Sequence, residues 1–111
     1  MNGAPEFVVV LVTAGSAEEA RRIGRALVEE QLAGCVNVVA PIHSIYRWQG
    51  AVEEADEHLL IVKARAGDLP ALETRVRTLH SYDVPEVLAL PVTAGSEDYL
   101  AWLAAATARD D

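Results

Sequence analysis

The stretch of sequence that decides the fold is residues 35–65, CVNVVAPIHSIYRWQGAVEEADEHLLIVKAR. Two long runs rich in β-forming residues flank Gln49-Gly50, a pair typical of a tight turn, so the stretch predicts a β-hairpin. Alternate positions from Val36 to Trp48 form one largely apolar face. Pro41 cannot donate a hydrogen bond to a neighbouring strand, and its place in this run predicts a bulge or an edge strand.

The predicted hairpin is long for the domain that carries it. A straight strand over residues 35–48 would extend roughly 46 Å at about 3.3 Å per residue, whereas a compact domain of this size has a diameter of roughly 35 Å. We therefore expect the hairpin to overhang, which would expose Ile42, Tyr46 and Trp48 on a monomer. The sequence predicts a homo-oligomer with these three side chains at its interface, and the pattern alone does not choose between a dimer and a trimer.

The elements around the hairpin complete a recognisable order. Residues 7–13 form an apolar, β-branched run that predicts a central strand buried on both faces. Ser16 and Glu19 form a capping box for an amphipathic helix over about 17 to 32, and Gly34 is expected to end that helix in a left-handed conformation.

Downstream of the hairpin, Asp68 is expected to cap a helix that runs to about residue 79, followed by a strand over 84–92 and a short helix after Ser96. The order β-α-β-β-α-β with a C-terminal helix predicts an α+β, ferredoxin-like fold. We expect a single domain over residues 1–111, with flexible ends at 1–6 and 105–111.

Composition limits the partners that this chain would bind. Seventeen acidic and nine basic residues give a net charge of −8, which repels phosphate backbones and anionic membranes, so nucleic acids and membranes are not expected partners. The same charge would attract cations, including metal ions, although solubility alone is the simpler explanation. A single cysteine, Cys35, is typical of a reducing compartment and indicates a cytoplasmic protein.

Several short segments recur together in one known family. They are AGCVN (33–37), SIYRWQG (44–50), YDVPE (82–86), LPV (90–92) and YLAWL (99–103). In this order and spacing they resemble the CutA divalent-cation tolerance proteins, over roughly residues 7–104. The resemblance implies a cytoplasmic homotrimer assembled through the long hairpin and the sheet edges, with copper and other divalent metals as ligands.

The resemblance also points to individual site residues. The family's copper site uses a cysteine just before the threonine of the first strand and two adjacent histidines; this chain has Val12 in place of the cysteine and retains only His80. His80 is therefore the candidate metal ligand, and a histidine that caps the end of the second helix is the structural alternative. Tyr82 and Glu86, which match the family, and Lys63 are the candidate ligand-binding residues.

Three functions remain open from the sequence. The first is a trimeric metal-tolerance protein that binds divalent cations between subunits. The second is a small-molecule-binding signalling trimer like the PII proteins, which share the predicted architecture. The third is a scaffold for a partner protein. Catalysis is not expected, because no motif joins a nucleophile to a base and an orienting group.

Overall fold

The computed structural model describes residues 6–109 and confirms the α+β prediction for this part of the chain. The elements are β1 (Phe7–Ala14), α1 (Ala17–Glu29), β2 (Cys35–Trp48), β3 (Ala51–Arg65), α2 (Leu69–Leu79), β4 (Leu88–Pro91) and α3 (Glu97–Ala106), with a 3-10 turn at Ala66–Asp68. The strands form one antiparallel sheet in the order β2-β3-β1-β4, the ferredoxin-like arrangement. None of the helices within residues 6–109 is both long and apolar enough to cross a membrane.

The core lies between the sheet and helices α1 and α2. Valines at even positions of β1, such as Val10 and Val12, are fully buried together with Ile23 and Leu27 of α1 and Leu72 of α2. This packing confirms that β1 is an interior strand.

The other face of the sheet lacks such a cover. Val9 and Leu11 on β1 are only half-buried, and the prediction that β1 is buried on both faces is wrong for the single chain. Leu88 and Leu90 of β4 pair with Leu11 and Val9 across the ladder and are 58% and 50% exposed. Because apolar side chains line this open face, it is the surface on which a further layer would remove the most apolar area from water.

Helix α1 begins as the sequence predicts but ends differently. The Ser16 hydroxyl accepts a hydrogen bond from the backbone N–H of Glu19 at 3.1 Å, which caps the helix. The helix ends at Glu29, and Gln31, with φ of 59°, takes the left-handed conformation that was expected of Gly34. Gly34 matters for another reason: a Cβ atom there would lie 2.6 Å from the Cδ1 atom of buried Leu103 in α3.

Pro41 lies at a bulge of β2, as predicted, and the bulge changes which side chains of the strand point towards the helices. Val38 pairs with Leu60 on the helix-covered face, whereas Ile42, after the register shift, pairs with Glu57 on the open face. The apolar stripe predicted from Val36 to Trp48 is therefore split between the two faces of the sheet, because an extra residue in a strand inverts the alternation that follows it.

The hairpin overhangs the domain, as its length predicts. The described residues extend over 43 × 30 × 22 Å with a radius of gyration of 14.7 Å, above the value of about 13 Å that is typical for this chain length. Gln49 and Gly50 both have positive φ, which is the geometry of a two-residue hairpin turn. Three apolar side chains, Ile45, Trp48 and Val52, are exposed near the tip.

Three boundaries differ from the sequence-based prediction. Strand β4 covers only Leu88–Pro91, and residues 84–87 form a loop instead of extending the strand. Asp68 makes no side-chain cap on α2, because its carboxylate pairs with the guanidinium of Arg109. Of the ends expected to be flexible, residues 1–5, 110 and 111 lie outside the described residues, whereas Thr107 is buried against the domain.

Gly34→Ala tests the close approach between the start of β2 and α3. The added methyl group must displace Leu103 in a closed part of the core, so we expect the free energy of unfolding to fall by about 1 to 3 kcal/mol. Chemical denaturation measures this change. Gly67→Ala is the matched control, since a Cβ atom there meets nothing within 4 Å; equal losses in the two variants would contradict the packing explanation.

Candidate functional site

A cleft of about 570 Å³ lies on the open face of the sheet, between the outer half of the hairpin and the loop that follows α2. Its wall residues come from three places: Ser44, Ile45, Tyr46, Trp48, Glu53 and Glu57 on the hairpin, Tyr82, Asp83, Val84 and Glu86 on the loop, and Thr13 on β1. The cleft exists on this face because the bulge at Pro41 turns Tyr46 and Trp48 away from the helices.

The floor of the cleft follows from the cross-strand pairs of the hairpin. Ser44 pairs with Ala55, and this small pair lies between the larger Tyr46–Glu53 pair and the pair of Ile42 with Glu57. Side chains directly opposite each other in a ladder point to the same face, so two small residues between bulky neighbours leave a depression. The depression is therefore a consequence of sequence and register together.

Carboxylates dominate the electrostatics of the cleft. Glu53, Glu57, Asp83 and Glu86 all line it, and none of its described wall residues is basic. Burial raises the pKa of Glu86 above its ordinary value, and the nearby charge of Glu57 adds to the effect. The cleft thus has a negative potential that its own side chains do not compensate, which favours the binding of a cation.

Tyr82 and Glu57 form the best-defined contact in the cleft. The Tyr82 hydroxyl donates a hydrogen bond of 2.8 Å to Oε2 of the buried Glu57. Burial of the phenol, followed by this hydrogen bond and the charge of Glu57, raises the pKa of Tyr82 to about 12. A side chain at Gly15 would crowd this arrangement, since a Cβ atom there would lie 3.2 Å from the Tyr82 hydroxyl.

His80 fixes the start of the loop that carries Tyr82. Its side chain is fully buried, with Nε2 lying 2.6 Å from the carbonyl oxygen of Thr13 and Nδ1 lying 3.0 Å from the backbone nitrogen of Tyr82. Because Nδ1 accepts the hydrogen bond from the Tyr82 N–H, the ring proton lies on Nε2, which donates to the carbonyl. His80 as a metal ligand stays a prediction; in this conformation both nitrogens are hydrogen-bonded, and a metal would have to displace one of the two bonds.

Glu19 holds the same loop from the helix side. Its carboxylate accepts hydrogen bonds from the Ser81 backbone N–H at 2.7 Å and from the Ser81 hydroxyl at 3.0 Å. Burial opposes ionisation of Glu19, but the bonds from Ser81 outweigh it and keep the pKa of Glu19 below its ordinary value. The loop is thus tied to both β1 and α1 before it reaches the cleft.

The remaining candidate residues lie apart from the cleft or beside it. Lys63 donates a hydrogen bond to Oδ1 of Asn37 and lies six residues from Glu57 along β3, or about 20 Å. Ile42, opposite Glu57, shares the face of the cleft without lining it. Their roles as ligand-binding and interface residues stay predictions, as does the interface role of Tyr46 and Trp48.

From the sequence, Glu53 and Glu57 belong to the acidic start of the returning strand, where they could offer oxygen ligands to a hard cation but where a solvated, charged edge is the simpler explanation; their place in the wall of a cleft was not predicted. One signal was available for Glu57: it continues the odd-numbered positions of β3 occupied by Leu59 and Ile61 on the open face. An acidic residue that extends an apolar face indicates a buried partner or a ligand. The partner, Tyr82, comes from a distant loop and is not visible in the local pattern.

A second polar cluster lies on the opposite face of the hairpin. The His43 ring contacts Asp56 through Nδ1 at 2.9 Å and Glu54 through Nε2 at 2.6 Å. The bond to Asp56, followed by that to Glu54, raises the pKa of this exposed histidine. Across residues 6–109, neither this cluster nor any other gathers three histidine, cysteine or acidic side chains in an arrangement that could hold a metal ion.

Comparison with known proteins identifies the family to which these features belong. The sequence profile described as CutA1 divalent ion tolerance protein matches residues 8–106. This chain is a member of the CutA1 divalent ion tolerance family. The similarity extends over nearly all of the described elements, from β1 to α3.

Individual CutA relatives support the assignment in sequence and in structure. The divalent-cation tolerance protein CutA of Thermus thermophilus is 55% identical over 95 residues, which cover 86% of this chain and 92% of the relative. The chloroplastic CutA of Arabidopsis thaliana is 47% identical over 96 residues, which cover 86% of this chain but only 53% of the longer plant protein. The crystal structure of CutA1 from Oryza sativa superposes with a TM-score of 0.91 at 42% identity, covering 96% of this chain and 98% of that one.

Tyr82→Phe tests the contact between the loop and the hairpin. Removal of the hydroxyl leaves Glu57 without its donor, and we expect a loss of about 1 kcal/mol, the lower part of the range because Tyr82 is partly exposed. Because the folded pKa of Tyr82 is above the ordinary value of 10.0, its contribution is present below pH 10 and disappears as the pH rises through about 12. Chemical denaturation of wild type and variant at pH 8 and pH 11.5 measures the loss of unfolding free energy and its dependence on pH. Tyr99→Phe, on α3, is the control, and an equally large loss of stability in that variant would contradict the explanation.

Proposed function

We propose that this CutA1 family member acts in divalent-cation tolerance as a non-catalytic homotrimer, with the cation bound in the acidic cleft. The observation that carries the proposal is the set of wall carboxylates without a basic partner among the described wall residues. The family is named for tolerance to divalent ions, and the Thermus thermophilus relative carries the same description. The cytoplasm, which the single cysteine favours, is the proposed location.

The chemistry of the donors favours a hard cation. Carboxylate oxygens are the ligands that Mg²⁺, Ca²⁺ and Mn²⁺ prefer, whereas copper favours imidazole and sulfur. Val12 replaces the cysteine that the family resemblance implies, and the His80 nitrogens are engaged in hydrogen bonds. Binding of copper by His80 would therefore require the ring to break one of its two hydrogen bonds. A divalent cation bound by carboxylate oxygens would leave both hydrogen bonds in place. Water or a neighbouring subunit would supply the remaining ligands, because one chain offers no complete set within residues 6–109.

Two surfaces support the proposed assembly. The open face presents Leu88 and Leu90, and the hairpin tip presents Ile45, Trp48 and Val52, all more than two-fifths exposed in the single chain. Apolar surface of this extent is unusual on a monomer and is covered when copies pack together. The family resemblance implies three-fold symmetry. The open face and the overhanging hairpin are both free, in the single chain, to make contacts between copies related in this way.

Metal titration tests the proposed cation site. We expect Mn²⁺ to bind measurably by calorimetry, and Glu86→Gln to weaken it at least about tenfold, as loss of metal-site residues commonly does. Glu73→Gln, on the exposed side of α2, is the matched control and should bind normally. A His80→Ala variant separates the two chemistries: loss of Cu²⁺ binding with unchanged Mn²⁺ binding would place copper at His80. Failure of every divalent cation to bind would contradict the proposal.

Sedimentation velocity tests the proposed trimer. The wild-type chain should sediment with three times the mass of one 11.9 kDa chain. Leu90→Glu on the open face and Trp48→Glu at the hairpin tip should each shift the protein towards monomer or aggregate, because each places a charge in an apolar contact. Thr74→Glu adds the same charge on the exposed side of α2 and should leave the mass unchanged. An intact trimer in both interface variants would exclude these surfaces from the assembly.

A further inference from the structure

The acidic cleft also contains aromatic side chains, which the binding of a bare metal ion would not require. Tyr46, Trp48 and Tyr82 line it and are 39%, 44% and 37% exposed in the single chain, so the walls that one chain contributes carry three partly exposed aromatic rings. Aromatic faces attract ammonium groups through their quadrupole, and they also pack against methylene chains. A hydrated metal ion gains neither contact. The rings therefore give independent information about the kind of cation that fits the cleft.

The carboxylates are spread along the cleft instead of converging on one point. Glu53 and Glu57 are four residues apart on β3, which separates their backbones by about 13 Å, with only Ala55 between them on that face. No three acidic side chains here are arranged around a common centre among the described residues. A flexible aliphatic chain with a charge at each end can contact both Glu53 and Glu57 at this spacing, whereas a single ion would be held by both only if their side chains turned towards each other.

The dimensions of the cleft agree with a small organic ligand. Its volume of about 570 Å³ falls within the roughly 300–1,000 Å³ usual for small-molecule sites. Ser44, opposite the small Ala55 in the ladder, lines the cleft, and a narrow chain can lie over it between the Tyr46 and Tyr82 rings. Without basic side chains among its described wall residues, the cleft disfavours anions.

We propose that this cleft binds linear aliphatic polyamines, with ammonium groups at the separated carboxylates and methylenes against the aromatic rings. The inference deepens the proposed function, since it rests on the same acidic cleft, but it depends on different atoms. The carboxylates serve both metal and polyamine, whereas the aromatic rings serve the polyamine alone.

Calorimetry with spermidine, putrescine and butylamine tests the proposal at physiological salt. We expect affinity to rise in the order butylamine, putrescine, spermidine, because each added ammonium group gains a carboxylate or an aromatic contact. Tyr46→Leu should weaken spermidine binding roughly 3- to 30-fold by removing a cation–π contact, and it should affect Mn²⁺ binding much less than spermidine binding. Glu53→Gln should also weaken spermidine binding, and it keeps the size and packing of the side chain if Tyr46→Leu folds poorly.

The adjacent residue supplies the matched control. Glu54 lies on the same strand as Glu53 but on the opposite face, beside His43. If attraction to the acidic arm as a whole were responsible, Glu54→Gln would weaken spermidine binding as much as Glu53→Gln, and that result would overturn the proposal. Equal affinities for butylamine and spermidine, or no spermidine binding at all, would also overturn it.

The same titrations separate this inference from the proposed function. Mn²⁺ binding without spermidine binding overturns the polyamine proposal and leaves the cation site intact. Spermidine binding without any divalent-cation binding supports the polyamine proposal and contradicts the proposed function. Binding of both, with spermidine more sensitive than Mn²⁺ to Tyr46→Leu, supports the two together.

Discussion

The register shift at Pro41 is the constraint on which the rest of the structure depends. Before it, β2 directs Val36 and Val38 towards α1, where Val36 packs against Gly24. After it, the alternation of side chains is inverted, and Tyr46 and Trp48 lie on the open face. One strand thus serves the core at its base and the cleft at its outer end. Without the bulge, the aromatic residues of the hairpin would lie on the other side of the sheet from Tyr82 and Glu86.

The open face unites the proposed assembly with the proposed binding site. A sheet covered by helices on one side needs a second source of apolar contact on the other, and here that side carries Val9, Leu11, Leu88 and Leu90. The cleft lies on the same face, further along the hairpin. Any copy that covers this apolar surface would therefore approach the rim of the cleft. The surfaces proposed for association and for ligand binding are therefore adjacent, and a change in one would be expected to affect the other.

The sequence predicted the fold well because the relevant signals are local. The capping serine Ser16, the Gln49-Gly50 turn and the proline bulge each act over a few residues, and all three are found where expected. The predicted end of α1 was wrong, because Gly34 is required by contact with Leu103, a residue far along the chain. Strand β4 is also shorter than predicted. The cleft was predicted only in part, through Tyr82 and Glu86. Its hairpin wall depends on which way the bulge turns the strand, a question that periodicity alone does not answer.

The loop that carries Tyr82 is held at three points: the carbonyl of Thr13, the carboxylate of Glu19 and the buried Glu57. A wall fixed in this way is already in place before any ligand arrives, so little conformational entropy is lost on binding. Of the three anchoring residues, Glu19 lies away from the cleft, whereas Thr13 and Glu57 also line it. Substitution of the exposed wall residues can therefore change what the cleft accepts while the support beneath stays the same. Members of one family could diverge in ligand preference without any change of fold.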